Sequence, residues 1–293
     1  MYDIDAIYEA KSVSDAVRLR QEHPRAVIIA GGSDVLIKIR EGKLAGAELI
    51  SIYKLDELRG VSMDEDGTLR ILPLTSFSHI TANALLREHI PVLCEAADVV
   101  GGPQVRNIGT IGGNISNGVT SADTASTLHA WDAEVELTGA NGVRRLTMRE
   151  YQVGAGRVDL HPDELLTAIL IRRERYEGYF GRYIKYSMRA AMDIATLGCS
   201  ANVRLSPDRC RIEDMRLAFG VAAPTAIRAH SAEAAARGAA VCGATVDACA
   251  AAALQDVSPR TSWRASKEFR LQLTRELTRR ALKDAIIRAG GEL

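Results

Sequence analysis

The sequence lacks the features that identify several large classes of protein. Its five cysteines are widely and irregularly spaced and include no CxxC pair, so the chain encodes neither a zinc ribbon nor a cysteine-bound cluster. Lysine plus arginine and aspartate plus glutamate balance at 37 each, which argues against a nucleic-acid binder. No apolar run approaches the roughly 18 residues that cross a bilayer, and the start, MYDIDAIYEA, lacks the pattern of a secretion signal. We therefore expect a cytoplasmic protein with reduced thiols.

The short motifs of several common enzyme classes are missing as well. Neither the GxGxxG of a nicotinamide Rossmann site nor the GxxxxGK[ST] of a P-loop occurs. The nucleophile elbow GxSxG and the metalloprotease motif HExxH are also absent, which leaves no hydrolase signature. His79, His129 and His161 stand far apart without metal-ligand spacing, so we expect them at the surface or in the core.

Two glycine-rich loops stand out among the features that the sequence does contain. The first glycine loop, Gly31-Gly32-Ser33-Asp34, directly follows residues 26–30, which have the pattern of a short buried strand. Glycine permits a positive φ and lets backbone N–H groups approach an anion closely. Asp34 would repel a phosphate, so we expect it to cap the turn or to bind ligand hydroxyls. The alternative is a plain tight turn, which the tetrapeptide alone favours.

The second glycine loop, Thr110–Asn114, lies inside the least regular part of the chain, VGGPQVRNIGTIGGNISNGVTSAD. Adjacent glycines after a threonine suit a pyrophosphate, and Thr110 and Asn114 offer side-chain hydrogen bonds. The alternative is an ordered Ω-loop without a ligand. Two such loops in one part of the chain make that alternative less attractive, and we expect both to present bare N–H groups to a pyrophosphate.

Two charged residues beyond the loops are further candidates. Asp123 could bind the hydroxyls of a ligand, or it could cap a helix predicted at residues 122–131; composition favours capping by Asp123 or Ser121. Lys185 lies between Ile184 and Tyr186 on a predicted strand. A lysine in a strand is usually solvated, and the functional alternative is a cation beside a reduced, anionic flavin.

The pattern changes after a polar stretch at residues 174–181, which predicts a domain boundary. Residues 182–189, 194–205 and 211–222 read as three long antiparallel strands. From residue 229 onward the chain is rich in alanine and helical. The last helix is predicted at about 266–289 and ends at Gly290-Gly291, a typical helix stop.

The two glycine loops make a family resemblance recognisable. The sequence resembles the FAD-binding subunits of the molybdenum hydroxylases across essentially the whole chain. Within that family it is most similar to the bacterial heterotrimeric xanthine dehydrogenases. The combination is specific, although each loop alone is not. The segments that carry the resemblance are AGGSDVL (30–36), GPQVRNIGTIGGN (102–114), SAD (121–123), IKYSMRAAMDIATLG (184–198), LAFGVAAPTAIRA (217–229) and SWRASKEFR (262–270).

The resemblance implies an α+β fold. A FAD-binding domain of the vanillyl-alcohol oxidase (PCMH) type would span residues 1–176, with lobes at about 1–57 and 58–176. A smaller C-terminal domain, with a three-stranded antiparallel sheet and a helix bundle, would span 182–293. FAD would lie extended between the two lobes.

By match of position, the resemblance also implies the residues that hold FAD. The ring system would pack between Ile111 on one face and NAD on the other, with Leu165 or Leu166 nearby and Lys185 at the pyrimidine end. The implied cofactor-binding residues are Val27, Ile28, Ile29, Ala30, Gly31, Gly32, Ser33, Asp34, Val35, Gly109, Thr110, Ile111, Gly112, Gly113, Asn114, Asp123, Leu165, Leu166 and Lys185.

The implied activity needs partner chains. An iron–sulfur subunit with [2Fe–2S] clusters and a molybdenum-cofactor subunit would complete a heterotrimer, or a dimer of heterotrimers, in which this chain passes electrons to NAD. Purine hydroxylation would take place on a partner subunit.

Four other interpretations of the sequence differ from this one. The chain could serve a hydroxylase for carbon monoxide, an aldehyde or nicotinate, since this subunit would not touch the organic substrate. A stand-alone FAD reductase like those of peptidoglycan synthesis is disfavoured, because the machinery of a third domain is missing. A scaffold that has lost FAD is disfavoured by two intact glycine loops. The tight hairpin at residues 139–142 carries no cysteines, which argues against the benzoyl-CoA-type reductases with an additional cluster.

Overall fold

The first lobe is built on a parallel sheet. A computed structural model describes residues 2–293. The strands pair in the order β1-β3-β2, and Ser12 caps the first helix by accepting a hydrogen bond from the Asp15 N–H. Because β2 lies at the edge, the first glycine loop that follows it is open to the second lobe. The elements are β1 (Ile4–Glu9), α1 (Val13–Glu22), β2 (Val27–Ile29), α2 (Val35–Arg40) and β3 (Ala47–Ser51).

The second lobe combines an antiparallel sheet with seven helices. The sheet has the strand order β4-β5-β8-β6-β7. The predicted hairpin of β6 and β7 is confirmed, although the two loop residues are Ala140 and Asn141 because Gly139 pairs with Gly142. The elements are β4 (Val61–Met63), β5 (Leu69–Ile71), α3 (Phe77–Ala82), α4 (Ala84–His89), α5 (Pro91–Asp98), α6 (Pro103–Ile108), α7 (Ile111–Ser116), α8 (Asp123–Ala130), β6 (Glu134–Gly139), β7 (Gly142–Thr147), α9 (Met148–Tyr151) and β8 (Leu165–Ile171).

The glycine-rich segment is more regular than the sequence suggests. It contains α6 and α7, so the expectation that it is the least regular part of the chain is wrong. Pro103 starts α6, a position where its missing N–H costs nothing. Thr110 caps α7, and a Cβ added at Gly112 would lie 2.4 Å from the Pro73 Cβ. Tight packing, rather than helix propensity, therefore decides the structure here.

The C-terminal part pairs one sheet with a layer of helices. The three long strands predicted here are confirmed, and a two-residue edge strand makes the order β12-β11-β10-β9. Ser266 caps the last helix, and Gly290 ends it at a φ of +81°. The elements are α10 (Arg173–Tyr176), β9 (Phe180–Tyr186), β10 (Leu197–Leu205), β11 (Ile212–Gly220), β12 (Ile227–Arg228), α11 (His230–Ala236), α12 (Gly243–Ala252) and α13 (Lys267–Arg288).

The two faces of this sheet have different neighbours. Leu197, Cys199 and Ala201 point into a core shared with the helices. The alternate positions face the second lobe, since Tyr183 belongs to the core of that lobe. The fold thus confirms the expected α+β class, with two lobes followed by a sheet and helices. In the part of the chain that the structure describes, no helix is long and apolar enough to cross a membrane.

A buried histidine gives the stability of the second lobe a predictable pH dependence. His129 in α8 is buried, and its Nε2 lies 3.1 Å from the Gln152 Oε1. Burial lowers the pKa of His129 from 6.5 to about 4. The unfolded chain therefore takes up a proton as the pH falls through about 6.5, while the folded chain does so only near 4.

As the pH falls from about 6.5 to about 4, we expect His129 to lower the free energy of unfolding by about 1.4 kcal/mol per pH unit. Urea unfolding of the protein and of a His129→Gln variant, at several pH values, checks the prediction. The variant keeps a donor for Gln152 but cannot titrate, so its curve should be flatter. Parallel curves for the two proteins would contradict the assignment.

Candidate functional site

The first glycine loop lies against the two residues that lead directly into the second glycine loop, as a shared ligand requires. A Cβ added at Gly31 would lie 1.8 Å from the Ile108 carbonyl oxygen and 3.3 Å from the Gly109 nitrogen. The Nζ of Lys38 also donates to the Oδ1 of Asn117 at 2.7 Å, which joins α2 to the end of α7. Only a glycine at position 31 allows the backbones of the two lobes to approach so closely.

The first glycine loop presents bare backbone N–H groups. Within residues 2–293, the N–H groups of Gly31, Gly32, Ser33 and Asp34 have no protein acceptor. Gly32 adopts a φ of +74°, a left-handed conformation that turns consecutive N–H groups toward one point. The expected capping role of Asp34 is wrong, because its side chain makes no bond to the start of α2 and is exposed. It remains free for ligand hydroxyls.

The second glycine loop differs, because its N–H groups are already bonded within the protein. Ile111 donates to the Thr75 carbonyl, Gly112 to the Pro73 carbonyl, and Gly113 to the Thr110 Oγ1. The expectation that both loops present bare N–H groups is therefore wrong for the second. Among the described residues of this loop, only the N–H of Thr110 lacks a protein acceptor. Gly112 instead gives α7 its close contact with Pro73, and Gly113 leaves room for the Thr110 Oγ1.

Asp123 is the centre of a buried polar cluster. Its Oδ2 accepts from the Lys185 Nζ at 2.9 Å, and its Oδ1 accepts from the Tyr183 hydroxyl at 2.8 Å. The side chains of Asp123 and Lys185 are each 7% exposed. Lys185 also donates to the Val99 carbonyl at 3.0 Å. The predicted cap is wrong, since Ala122 precedes α8 and no side chain caps it. The Asp123 carboxylate bonds to Lys185 and Tyr183 on β9 instead of capping its own helix.

A hydrogen bond connects this cluster to the second glycine loop. The Thr124 hydroxyl donates to the Asn114 Oδ1 at 2.7 Å. The structure therefore brings Gly31, Asn114, Asp123 and Lys185 into one continuous region, with contributions from both lobes and from the C-terminal sheet. Sequence reasoning did not identify Tyr183. Its position two residues before Lys185 on one strand, and so on the same face, was the available signal.

Three predicted apolar contacts do not fit the structure. Ile111 is 0% exposed within the core of the second lobe, so its side chain has no free surface for a flavin ring. Leu165 is buried with the core of the first lobe and Leu166 with that of the second. Successive residues of a strand point to opposite faces, and both faces of β8 are covered here.

Comparisons with known proteins identify the family of this chain. Residues 2–172 match the sequence family described as FAD binding domain in molybdopterin dehydrogenase. This match covers more than half of the chain. The chain belongs to the FAD-binding subunits of the molybdenum hydroxylases. Residues 182–285 match a second family, described as the CO dehydrogenase flavoprotein C-terminal domain.

Individual members of the family are similar over their full length. The chain is 42% identical to the xanthine dehydrogenase FAD-binding subunit of Escherichia coli O157:H7, over 100% of both chains. It is 30% identical to the carbon monoxide dehydrogenase medium chain of Hydrogenophaga pseudoflava, over 94% of each. A solved structure of carbon monoxide dehydrogenase from that organism superimposes with a TM-score of 0.92, covering 98% of this chain and 99% of the other at 30% identity.

The residues present fit the FAD that the family binds. A diphosphate needs several converging donors, and the first glycine loop supplies bare N–H groups next to the backbone of Ile108 and Gly109. The buried pair of Asp123 and Lys185 lies beyond Asn114, where a longer part of the same ligand would extend.

Proposed function

We propose that this chain is the FAD-binding electron-transfer subunit of a xanthine dehydrogenase. It takes electrons from [2Fe–2S] clusters of a partner subunit and passes them as hydride to NAD, while a molybdenum-cofactor subunit hydroxylates the purine. The observation that carries this proposal is the 42% identity over the full length of the E. coli O157:H7 subunit. The identity to the carbon monoxide dehydrogenase medium chain is lower, at 30% over 94% of each chain.

Specific residues of this chain hold the cofactor in our proposal. The N–H groups of the first glycine loop bind the diphosphate, with help from the Thr110 N–H. Asp123 and Lys185 lie at the flavin end. FAD, when bound, supplies the chemistry of accepting single electrons and donating a pair as hydride. The chain itself positions the cofactor, keeps water from the Asp123–Lys185 pair and holds a cation at the Lys185 Nζ.

The domain division expected from the sequence is part of this proposal. A FAD-binding domain at residues 1–176, with lobes 1–57 and 58–176, and a C-terminal domain at 182–293 are supported by the two family matches, at residues 2–172 and 182–285. Each unit has its own main hydrophobic cluster, although the second-lobe cluster includes Tyr183 and the first-lobe cluster includes Leu165. The flavin site would then lie where all three meet.

The second candidate function is that of the FAD subunit of another molybdenum hydroxylase, acting on carbon monoxide, an aldehyde or nicotinate. The close fold similarity to carbon monoxide dehydrogenase favours it. Purification of the chain with its natural partner subunits distinguishes the two. We expect FAD bound to this chain and NAD reduction that depends on xanthine. Activity with carbon monoxide, an aldehyde or nicotinate alone would favour the second candidate, and a complex without FAD would overturn both.

A single methyl group at Gly32 tests the role of the first glycine loop. Gly32 and Gly42 have nearly the same φ, +74° and +76°, and nothing lies within 4 Å of a Cβ added at Gly42. Both alanine variants therefore suffer a similar left-handed strain of about 1–2 kcal/mol, and the Cβ at position 32 also lies 3.1 Å from the flexible Leu36 side chain. Only Gly32→Ala should weaken FAD binding, by roughly tenfold if one hydrogen bond to a charged diphosphate is lost.

Titration of the flavin-free chain with FAD measures this effect, and urea unfolding measures the strain. Equal FAD affinities for the Gly32→Ala and Gly42→Ala variants would show that the loop does not bind the diphosphate.

A further inference from the structure

Tyr183 reaches the flavin site from the same strand face as Lys185. The two side chains are two positions apart on β9 and bond to opposite oxygens of the Asp123 carboxylate. Tyr183 is 4% exposed, so its hydroxyl is a buried donor to a buried carboxylate. Asp123 thus has one donor that carries a charge and one that does not.

The neighbouring strand leaves a space that fits this hydroxyl. Gly198 pairs with Lys185 across β9 and β10, and Ser200 pairs with Tyr183. A Cβ added at Gly198 would lie 2.7 Å from the Tyr183 hydroxyl oxygen but 3.5 Å from the nearest ring carbons. A larger residue at position 198 would therefore push away the hydroxyl while tolerating the ring.

We propose that Tyr183 is a positioning residue of the flavin site, whose hydroxyl holds the Asp123 carboxylate in its charged form against Lys185. The inference rests on the proposed function, because it concerns the charge next to the flavin. The ion pair keeps the net charge at that position close to zero. Gly198 belongs to the same arrangement, since it makes room for the hydroxyl.

The direction of the effect follows from the burial of the carboxylate. Burial raises the pKa of Asp123, and the bonds from Lys185 and Tyr183 oppose that rise. Without the Tyr183 hydroxyl, the Asp123 Oδ1 has no donor among the described residues. The neutral form of the carboxyl group is then favoured over the charged form. The Lys185 cation is then no longer balanced, and it stabilises a reduced, anionic flavin more strongly.

The test is a Tyr183→Phe variant of the full chain with bound FAD. We expect a midpoint potential more positive than that of the wild type, and roughly tenfold weaker FAD binding if the carboxylate loses its position. The matched control is Tyr176→Phe. Tyr176 is 5% exposed and also loses one buried hydrogen bond, from its hydroxyl to the Gly67 carbonyl at 2.6 Å. The control should lose stability but keep the flavin potential.

A double variant separates positioning from packing. Gly198→Ala alone should lower the melting temperature and shift the potential in the same direction as Tyr183→Phe, because its methyl group displaces the hydroxyl. In Gly198→Ala/Tyr183→Phe the nearest ring carbons lie at ordinary contact distance, so stability should partly recover. The potential should stay at the Tyr183→Phe value.

The outcomes are distinct. A potential for Tyr183→Phe that is unchanged or more negative would overturn the positioning role, provided that the wild type and Tyr176→Phe bind FAD. Additive losses of stability in the double variant would also count against it. Failure of the wild type to bind FAD would instead overturn the proposed function.

Discussion

Replacement of Lys185 by alanine should destabilise the protein by about 3–5 kcal/mol, the usual cost of removing one partner from a buried ion pair. Asp123 would be left 7% exposed with only the Tyr183 hydroxyl as a donor. The variant also lacks the cation that would stabilise a reduced, anionic flavin, so the midpoint potential of bound FAD should fall. Urea unfolding and a redox titration of the FAD-loaded chain measure the two effects.

The double variant Asp123→Asn/Lys185→Met is the control for this experiment. It removes both charges while keeping an acceptor for Tyr183, so it should be much more stable than Lys185→Ala alone. The potential should move in opposite directions in Lys185→Ala and Tyr183→Phe, because the first removes the cation and the second weakens its counter-charge. An unchanged potential in Lys185→Ala would exclude the pair from the flavin site.

Replacement of Gly31 by alanine should have the largest effect on FAD binding. The added Cβ would lie 1.8 Å from the Ile108 carbonyl oxygen, and this is a backbone atom that no side-chain rotation can move aside. The two loops must separate, which should destabilise the fold by about 1–3 kcal/mol. If two N–H groups then lose their contact with a charged diphosphate, the affinity for FAD should fall at least roughly a hundredfold.

Gly243→Ala provides the comparison, since nothing lies within 4 Å of a Cβ added there. FAD titration and thermal unfolding of both variants give the result. Wild-type FAD affinity in Gly31→Ala would show that the contact between the loops is not needed for the ligand.

Regular elements with clear end signals could be predicted from the sequence. Ser12 and Ser266 start their helices by accepting hydrogen bonds from N–H groups three residues on, and Gly290 ends the last helix at a positive φ. These signals are local, so they can be recognised without knowledge of the fold. The alternating patterns of β9, β10 and β11 are local in the same sense.

The glycine-rich segment could not be predicted in this way. Glycine is a poor helix former, so the sequence of α7 argues for a loop. The structure is decided by contacts with Pro73, which is distant in sequence. The same holds for the N–H groups of the second glycine loop, which bond to Pro73 and Thr75 instead of remaining free for a ligand.

Part of the candidate site could be predicted from the sequence in the same way, and part could not. The positions of both glycine loops follow from composition, and the structure places Gly31 against Ile108, two residues before the second loop begins. The role of Asp123 could not be derived from its neighbours, because a local rule predicts a helix cap. Its actual partners lie on β9, about 60 residues later in the chain.

The hydrophobic cores are shared between units of the fold, which has a consequence for how the chain responds to its ligand. The second-lobe core includes Tyr183 of β9 and the first-lobe core includes Leu165 of β8, so loss of packing in one unit weakens its neighbour. A dinucleotide that touches Gly31, Asn114 and Lys185 contacts all three units at once. Because a ligand that binds only the assembled form stabilises it by mass action, cofactor supply in the cell would set the lifetime of this subunit as well as its activity.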